Sequence, residues 1–151
     1  MANETVGEIL DRARRFHREL GEFYQQVEDL TEKERVKLVL EYLQRHEIYL
    51  DESLAEYEKD ASKSVLGTWF KSTPELELGN CFEDAEIKPD MSVADVLQLA
   101  IRFDNRVIEL YKTLAKRSVS KDVRHLFKTL LEMEKKEEHQ IVRNTIEMLD
   151  L

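Results

Sequence analysis

The chain has 151 residues, of which 36% are charged and 42% hydrophobic, and its formal net charge at pH 7 is −9. A chain of this length can bury a substantial core, so we expect a single domain over residues 1–151. Only four glycines and two prolines are present, which argues for long helices and against an all-β fold, since such a fold needs many turns. The acidic balance is unfavourable for binding the phosphate backbone of nucleic acids.

The cysteine content and the apolar segments restrict the class of protein further. Cys81 is the single cysteine, which excludes an internal disulfide framework, a cysteine-based zinc knuckle and a four-cysteine iron site. The first residues contain no basic stretch followed by an apolar one, so we expect no signal peptide. No apolar run approaches the ~20 residues that span a bilayer. We therefore expect a cytoplasmic protein without nucleic-acid or membrane partners.

Four segments place apolar residues at helical spacing. They run roughly over residues 4–29, 31–60, 92–117 and 120–150. Thr31 with Glu34, and Ser92 with Asp95, resemble capping boxes, in which the hydroxyl and the later carboxylate bind free N–H groups at a helix start. These patterns predict four long helices.

The connections between these segments predict their arrangement. The joints near Leu30 and near Ser118–Val119 are short, so each pair of helices forms an antiparallel hairpin. The stretch at about 61–91 holds both prolines and joins the hairpins. A helix of ~26 residues is about 40 Å long, and about 30 extended residues can exceed that length. The prediction is an all-α antiparallel four-helix bundle, built from two helical hairpins and a long crossover.

The two hairpins also resemble each other in sequence. A shift of 87 positions aligns them without a gap and places His17 on Asp104 and Glu47 on Glu134. The identical pairs include Leu10–Leu97, Ala13–Ala100, Phe16–Phe103, Tyr24–Tyr111, Val36–Val123 and Leu43–Leu130. This repeat predicts a bundle with pseudo-two-fold symmetry.

Polar residues interrupt the inner apolar stripe of every helix near its middle. They are His17, Glu47, Asp104, Glu134 and Glu137. An unpaired buried carboxylate costs several kcal/mol, so such a cluster must be protonated, paired or metal-bound. Carboxylate oxygen together with imidazole suits iron, manganese or zinc. The alternative for each carboxylate is a protonated or solvated side chain.

With these residues the chain resembles the ferritin-like superfamily, and within it the rubrerythrin-type diiron-carboxylate bundles. In that pattern two helices each supply a Glu, and the other two each supply Glu-x-x-His. Glu47 and Glu134 match the two Glu-x-x-His glutamates, which usually bridge the metals in the family. Tyr24 and Tyr111 match the tyrosine seven residues after the first ligand position, and the Ala-x-x-Phe lead-in is present in both hairpins.

Four positions differ from the family pattern. His17 stands where the family has Glu, and Asp104 is a shorter carboxylate at the equivalent place. Leu50 and Glu137 stand where the family has the two histidines. Because the sequence has no cysteine pairs, we expect no electron-relay domain of the kind found in full rubrerythrins.

The resemblance implies a dinuclear or reduced metal site in the bundle core, with iron, or else manganese or zinc, as the cofactor. It implies five metal ligands, which are His17, Glu47, Asp104, Glu134 and Glu137. It also implies that Tyr24, Tyr111 and His46 contact these ligands without binding the metal. Reaction with O₂ or peroxide follows by family analogy, and whether the chain is an enzyme stays open. The alternative is a metal-free ferritin-like bundle that acts as a structural or partner-binding module.

Other residues have plainer interpretations. His46 could point inward at the edge of the apolar stripe of the second helix, but we expect it to be exposed at the surface, and we expect His125 and His139 to be solvated. The two tyrosines either hydrogen-bond the inner carboxylates or serve as core aromatics. The pairs Trp69–Phe70 and Cys81–Phe82 are predicted to anchor the crossover on the bundle or to form a dimer contact, and a homodimer is expected.

Overall fold

A computed structural model describes residues 2–76 and 87–149. The long helices are α1 (Val6–Leu30), α2 (Glu34–Asp60), α4 (Val93–Arg117) and α5 (Lys121–Leu149). Between α2 and α4 lie the short helix α3 (Lys63–Leu66) and strand β2 (Trp69–Thr73), and strand β1 (Ala2–Thr5) precedes α1. The four predicted helices are confirmed within a few residues at each end.

Of the two predicted capping boxes, one is formed in the structure and one is not. Ser92 and Asp95 form the predicted capping box at the start of α4. The box predicted at Thr31 is wrong, because the backbone N–H of Thr31 donates to Glu28 and closes α1. Helix α2 then starts at Glu34, and Lys33 precedes it without a side-chain cap.

The long helices pack as two hairpins. Three residues, 31–33, join α1 to α2, and three more, 118–120, join α4 to α5, so each pair runs antiparallel. Helix α2 contacts both helices of the second hairpin. Phe23 and Phe103 meet edge to face at 5.5 Å between ring centroids, which ties α1 to α4. The core therefore lies between the hairpins, along the inner faces of all four helices.

The first part of the crossover is held against the start of α1. Strand β2 pairs antiparallel with β1, and Glu4 lies opposite Phe70. Phe70 is buried and packs on Phe127 at 5.8 Å between ring centroids, as expected of an apolar anchor. Trp69 is 65% exposed, so it is not a buried anchor, and the alternative of a dimer contact stays a prediction. The pair Cys81–Phe82 lies outside the described residues.

In the part of the chain that the structure describes, no helix combines the length and the apolar character needed to cross a bilayer.

Candidate metal centre

The residues predicted as metal ligands come together at the middle of the bundle. His17 on α1, Glu47 on α2, Asp104 on α4 and Glu134 on α5 are each at most 1% exposed. Glu137, one turn after Glu134, lies at the edge of the cluster with 14% of its side chain exposed. Each long helix thus contributes at least one polar group at its midpoint, and the antiparallel hairpins bring these groups to one level.

The His17 ring lies between two glutamates that the family resemblance assigns to metal bridging. Its Nδ1 is 2.6 Å from Oε2 of Glu47, and its Nε2 is 2.9 Å from Oε1 of Glu134. Imidazole donates from both nitrogens only when it is protonated. Because the two nitrogens point in diverging directions, the ring holds the two carboxylates apart.

The charges around His17 favour its protonated form. Burial alone lowers the pKa of His17, but the negative charges of Glu134 and Glu47, and the hydrogen bonds to them, hold it well above its usual value. Burial raises the pKa of Glu47, and His17 partly offsets that effect. The three side chains therefore form a buried ion-pair triad, named here the His17 triad.

The prediction that His46 is exposed is wrong. Its side chain is only 2% exposed, and its Nδ1 lies 3.3 Å from Oε2 of Glu137. Its Nε2 is 3.7 Å from Oδ2 of Asp104, which is too far for a hydrogen bond. The stripe of a single helix could not reveal this burial, because α2 is covered by both helices of the second hairpin and its buried face is correspondingly wide.

Three of these side chains offer donor atoms to one position. His46, Glu47 and Asp104 each have a ligand atom within 4.8 Å of the other two. Ligand atoms on one ion with bonds of about 2.1 Å lie up to about 4.2 Å apart, so small side-chain rotations suffice. Nε2 of His46, Oε1 of Glu47 and Oδ1 of Asp104 are buried and have no hydrogen-bond partner among the described residues. A cation would satisfy the two carboxylate oxygens, and Nε2 of His46 as well once that nitrogen gives up its proton, so the donor set fits a metal.

The contact between His46 and Glu137 strengthens this fit. A metal-binding histidine usually donates its other ring N–H to a carboxylate, which fixes the tautomer and the ring orientation. Nδ1 of His46 is placed for this donation to Glu137, and this leaves Nε2 facing Asp104 and Glu47. The geometry therefore gives His46 the better ligand position and Glu137 the orienting one.

The pKa of His46 determines how metal and protons compete at the cluster. Burial lowers the pKa of His46, but the carboxylates of Asp104 and Glu137 outweigh burial and raise it to about 10. Burial raises the pKa of Asp104, and His46 partly offsets that rise. Metal and protons compete for such donors.

The two predicted tyrosines line the cluster. Tyr24 and Tyr111 are at most 1% exposed, and neither hydroxyl has a hydrogen-bond partner within the described part of the chain. The predicted hydrogen bonds from these hydroxyls to the inner carboxylates are therefore not formed. Burial, then the charge of Glu47 for Tyr24 and of Glu134 for Tyr111, raises both tyrosine pKa values well above 10, so both side chains stay neutral.

The sequence interpretation missed one further acid. Glu138 is half-buried, and its Oε2 has no partner among residues 2–76 and 87–149. Burial, and secondarily the charge of Asp104, raises its pKa. Its spacing of four residues from Glu134 could have indicated this position. His125 and His139 are exposed, as predicted.

Two surface cavities reach the cluster from different sides. A cavity of about 890 Å³ between α2 and α5 is lined by His46 and Glu137 at one end and by Arg45 and Gln140 nearer the surface. A cavity of about 360 Å³ between α1 and α2 reaches His17 and Glu47. Small ions can therefore approach both halves of the cluster.

Two hairpins of long helices, with carboxylates and imidazoles at their common midpoint, define a ferritin-like four-helix bundle. The chain is similar in fold to a crystal structure of a candidate ferritin-like diiron-carboxylate protein from Thermotoga maritima, with a TM-score of 0.60 and 19% identity. The match covers 97% of this chain and 98% of that one. No protein-family model matches the sequence, and no curated protein is similar to it. The likeness confirms the predicted ferritin-like fold.

Proposed function

We propose that this chain binds a divalent transition metal in the core of the bundle, with iron as the first expectation and manganese or zinc as alternatives. The observation that carries the proposal is that His46, Glu47 and Asp104 each have a ligand atom within 4.8 Å of the other two, and that each also has a buried polar atom without a hydrogen-bond partner among the described residues. The structural neighbour, described as a candidate diiron-carboxylate protein, supports the same type of cofactor.

The proposal assigns roles to four side chains of the cluster. His46 binds the metal through Nε2, and Glu137 orients the ring through Nδ1. Glu47 and Asp104 supply carboxylate oxygens. The sequence pattern implied that Glu137 binds the metal and that His46 contacts a ligand. The present assignments exchange these two roles.

Bound iron with an open coordination position supplies redox chemistry with O₂ or peroxide. Tyr24 and Tyr111, which are buried and neutral, lie beside the carboxylates and add no charge of their own. An oxidoreductase role, a cytoplasmic location and a homodimer stay predictions.

Metal analysis tests the proposal directly. Protein produced in medium supplemented with iron, manganese and zinc should carry close to one metal ion or more per chain. The variant His46→Ala should lose most of it, whereas His139→Ala, which removes an exposed histidine on α5, should keep it. A content well below one metal per chain in the unmodified protein would contradict the proposal.

A specific observation favours the alternative of a metal-free bundle. His17 already supplies a positive charge to both Glu47 and Glu134 at hydrogen-bonding distance. A buried ionic triad of this kind can often be replaced by apolar residues with a gain in stability. If the triple variant His17→Leu, Glu47→Leu, Glu134→Leu is more stable than the unmodified protein, and the unmodified protein contains no metal, a structural or partner-binding role is the better conclusion.

A further inference from the structure

The two halves of the polar cluster differ in whether the imidazole is already engaged. On the α1 side, both nitrogens of His17 contact carboxylates, and the unpaired atoms are the second oxygens, Oε1 of Glu47 and Oε2 of Glu134. On the α4 side, Nε2 of His46 and Oδ1 of Asp104 have no hydrogen-bond partner among the described residues. The repeat in the sequence therefore does not give two equivalent half-sites.

We infer that the core takes one metal ion per chain, on the His46–Asp104 side, and that His17 occupies the place where a second ion would bind. This inference rests on the proposed function, and it adds the number of ions and their position. Within residues 2–76 and 87–149, the single group of three such side chains with ligand atoms within 4.8 Å is His46, Glu47 and Asp104.

A second ion on the α1 side would find carboxylate oxygens but no free imidazole nitrogen. The lone pairs of His17 are unavailable, because each ring nitrogen faces a carboxylate oxygen. Leu50, one turn after Glu47 on the same face of α2, is fully buried and offers no donor atom. The His17 ring also separates Glu47 from Glu134, so these two glutamates cannot converge on an ion without displacing it.

The substitution of each buried histidine by glutamine provides a matched test. Protein freed of metal with a chelator is titrated with Co²⁺ and with Zn²⁺, followed by calorimetry and, for Co²⁺, by the visible absorption of the bound ion. The unmodified protein should saturate at one equivalent. His17→Gln should still bind one equivalent, whereas His46→Gln should lose affinity by roughly 100-fold or more.

A pair of acid substitutions repeats the test without changing either histidine. Glu134→Gln should retain one equivalent, and Asp104→Asn should lose affinity in the same way as His46→Gln. Far-UV circular dichroism verifies that each variant is folded, and the acid pair is used for the conclusion if His17→Gln does not fold.

Each outcome separates this inference from the proposed function. Two equivalents in the unmodified protein would overturn the single-ion inference but leave metal binding intact. Loss of binding in both His17→Gln and Glu134→Gln would also overturn it, since the ion would then use the α1 side. No binding of Co²⁺ or Zn²⁺ at all would refute the proposed function itself, and the inference with it.

Discussion

Replacing His17 by leucine would remove the positive partner of two buried glutamates while keeping a side chain of similar size. In the metal-free protein at pH 7, Glu47 and Glu134 would then lose contacts of 2.6 and 2.9 Å to the imidazole. Removing one partner of a buried ion pair typically costs 3–5 kcal/mol, because a charge stays buried without compensation. Since a stranded carboxyl can take up a proton instead, we expect a loss near the lower end, about 3 kcal/mol.

Urea denaturation in the presence of a chelator measures this loss. The control is His139→Leu, an exposed position, where a change within about 0.5 kcal/mol is expected. A double-mutant cycle with Glu47→Gln isolates the pairwise contact, and it should give a coupling energy of about 1 kcal/mol or more.

Two results would refute this reasoning about the His17 triad. A loss below about 1 kcal/mol for His17→Leu would show that the ionic contacts stabilise the fold no more than an apolar side chain does. An equal loss with and without Glu47→Gln would show that the destabilisation arises elsewhere, for instance from packing of the leucine.

Three further predictions concern the helices and the approach to the centre. Gly21→Ala should raise the unfolding free energy by about 0.5–1 kcal/mol, because glycine weakens a helix interior. The new Cβ would lie 3.8 Å from Cβ of Glu47, which is an ordinary van der Waals contact, and a decrease in the unfolding free energy would contradict this prediction. The pKa of Glu58 is raised to about 7, by burial first and then by Asp11. The folded state therefore binds more protons than the unfolded chain above pH 4.5, and the stability contributed by Glu58 falls as pH rises to 7. Relative to the unmodified protein, Glu58→Gln should therefore raise the unfolding free energy by about 1 kcal/mol more at pH 8 than at pH 5, a value that allows for solvent screening of this partly exposed group. An equal effect at both pH values in urea denaturation would refute this prediction. Gln140→Trp, which places a bulky ring in the larger cavity, should slow Co²⁺ uptake in stopped-flow absorption without changing the final stoichiometry; an unchanged rate would show that ions enter elsewhere.

The helices and their inner polar positions could be predicted because both leave a local periodic signal. The spacing of apolar residues defined four helices, and four of the five polar interruptions proved to be buried, while Glu137 is partly exposed. The β1–β2 pairing could not be predicted in this way, because it joins residues 2–5 to residues 69–73 and neither segment shows a distinctive alternation. Long-range pairing of short strands is set by the tertiary fold.

The burial of His46 shows a different limit of sequence reasoning. Glu47 lies on the central stripe of α2, and its neighbour His46 is rotated by about 100° around the helix axis. Whether that rotated position is covered depends on how the second hairpin packs on α2. Helix α2 contacts both α4 and α5, and this packing buries His46 although it lies off the central apolar stripe. Its Nε2 lies 3.7 Å from Oδ2 of Asp104 and has no hydrogen-bond partner among the described residues.

The distribution of partners in the cluster explains why its two halves should treat a cation differently. Four acids, Glu47, Asp104, Glu134 and Glu137, share two imidazoles, and each imidazole can supply one positive charge. His17 makes short contacts with both of its acids, whereas the ring of His46 is 3.7 Å from Asp104. A metal on the α1 side must displace a well-bound imidazole, whereas on the α4 side the imidazole nitrogen Nε2 of His46 lacks a partner among the described residues. The position of a bound ion therefore follows from which imidazole is unpaired rather than from the number of carboxylates.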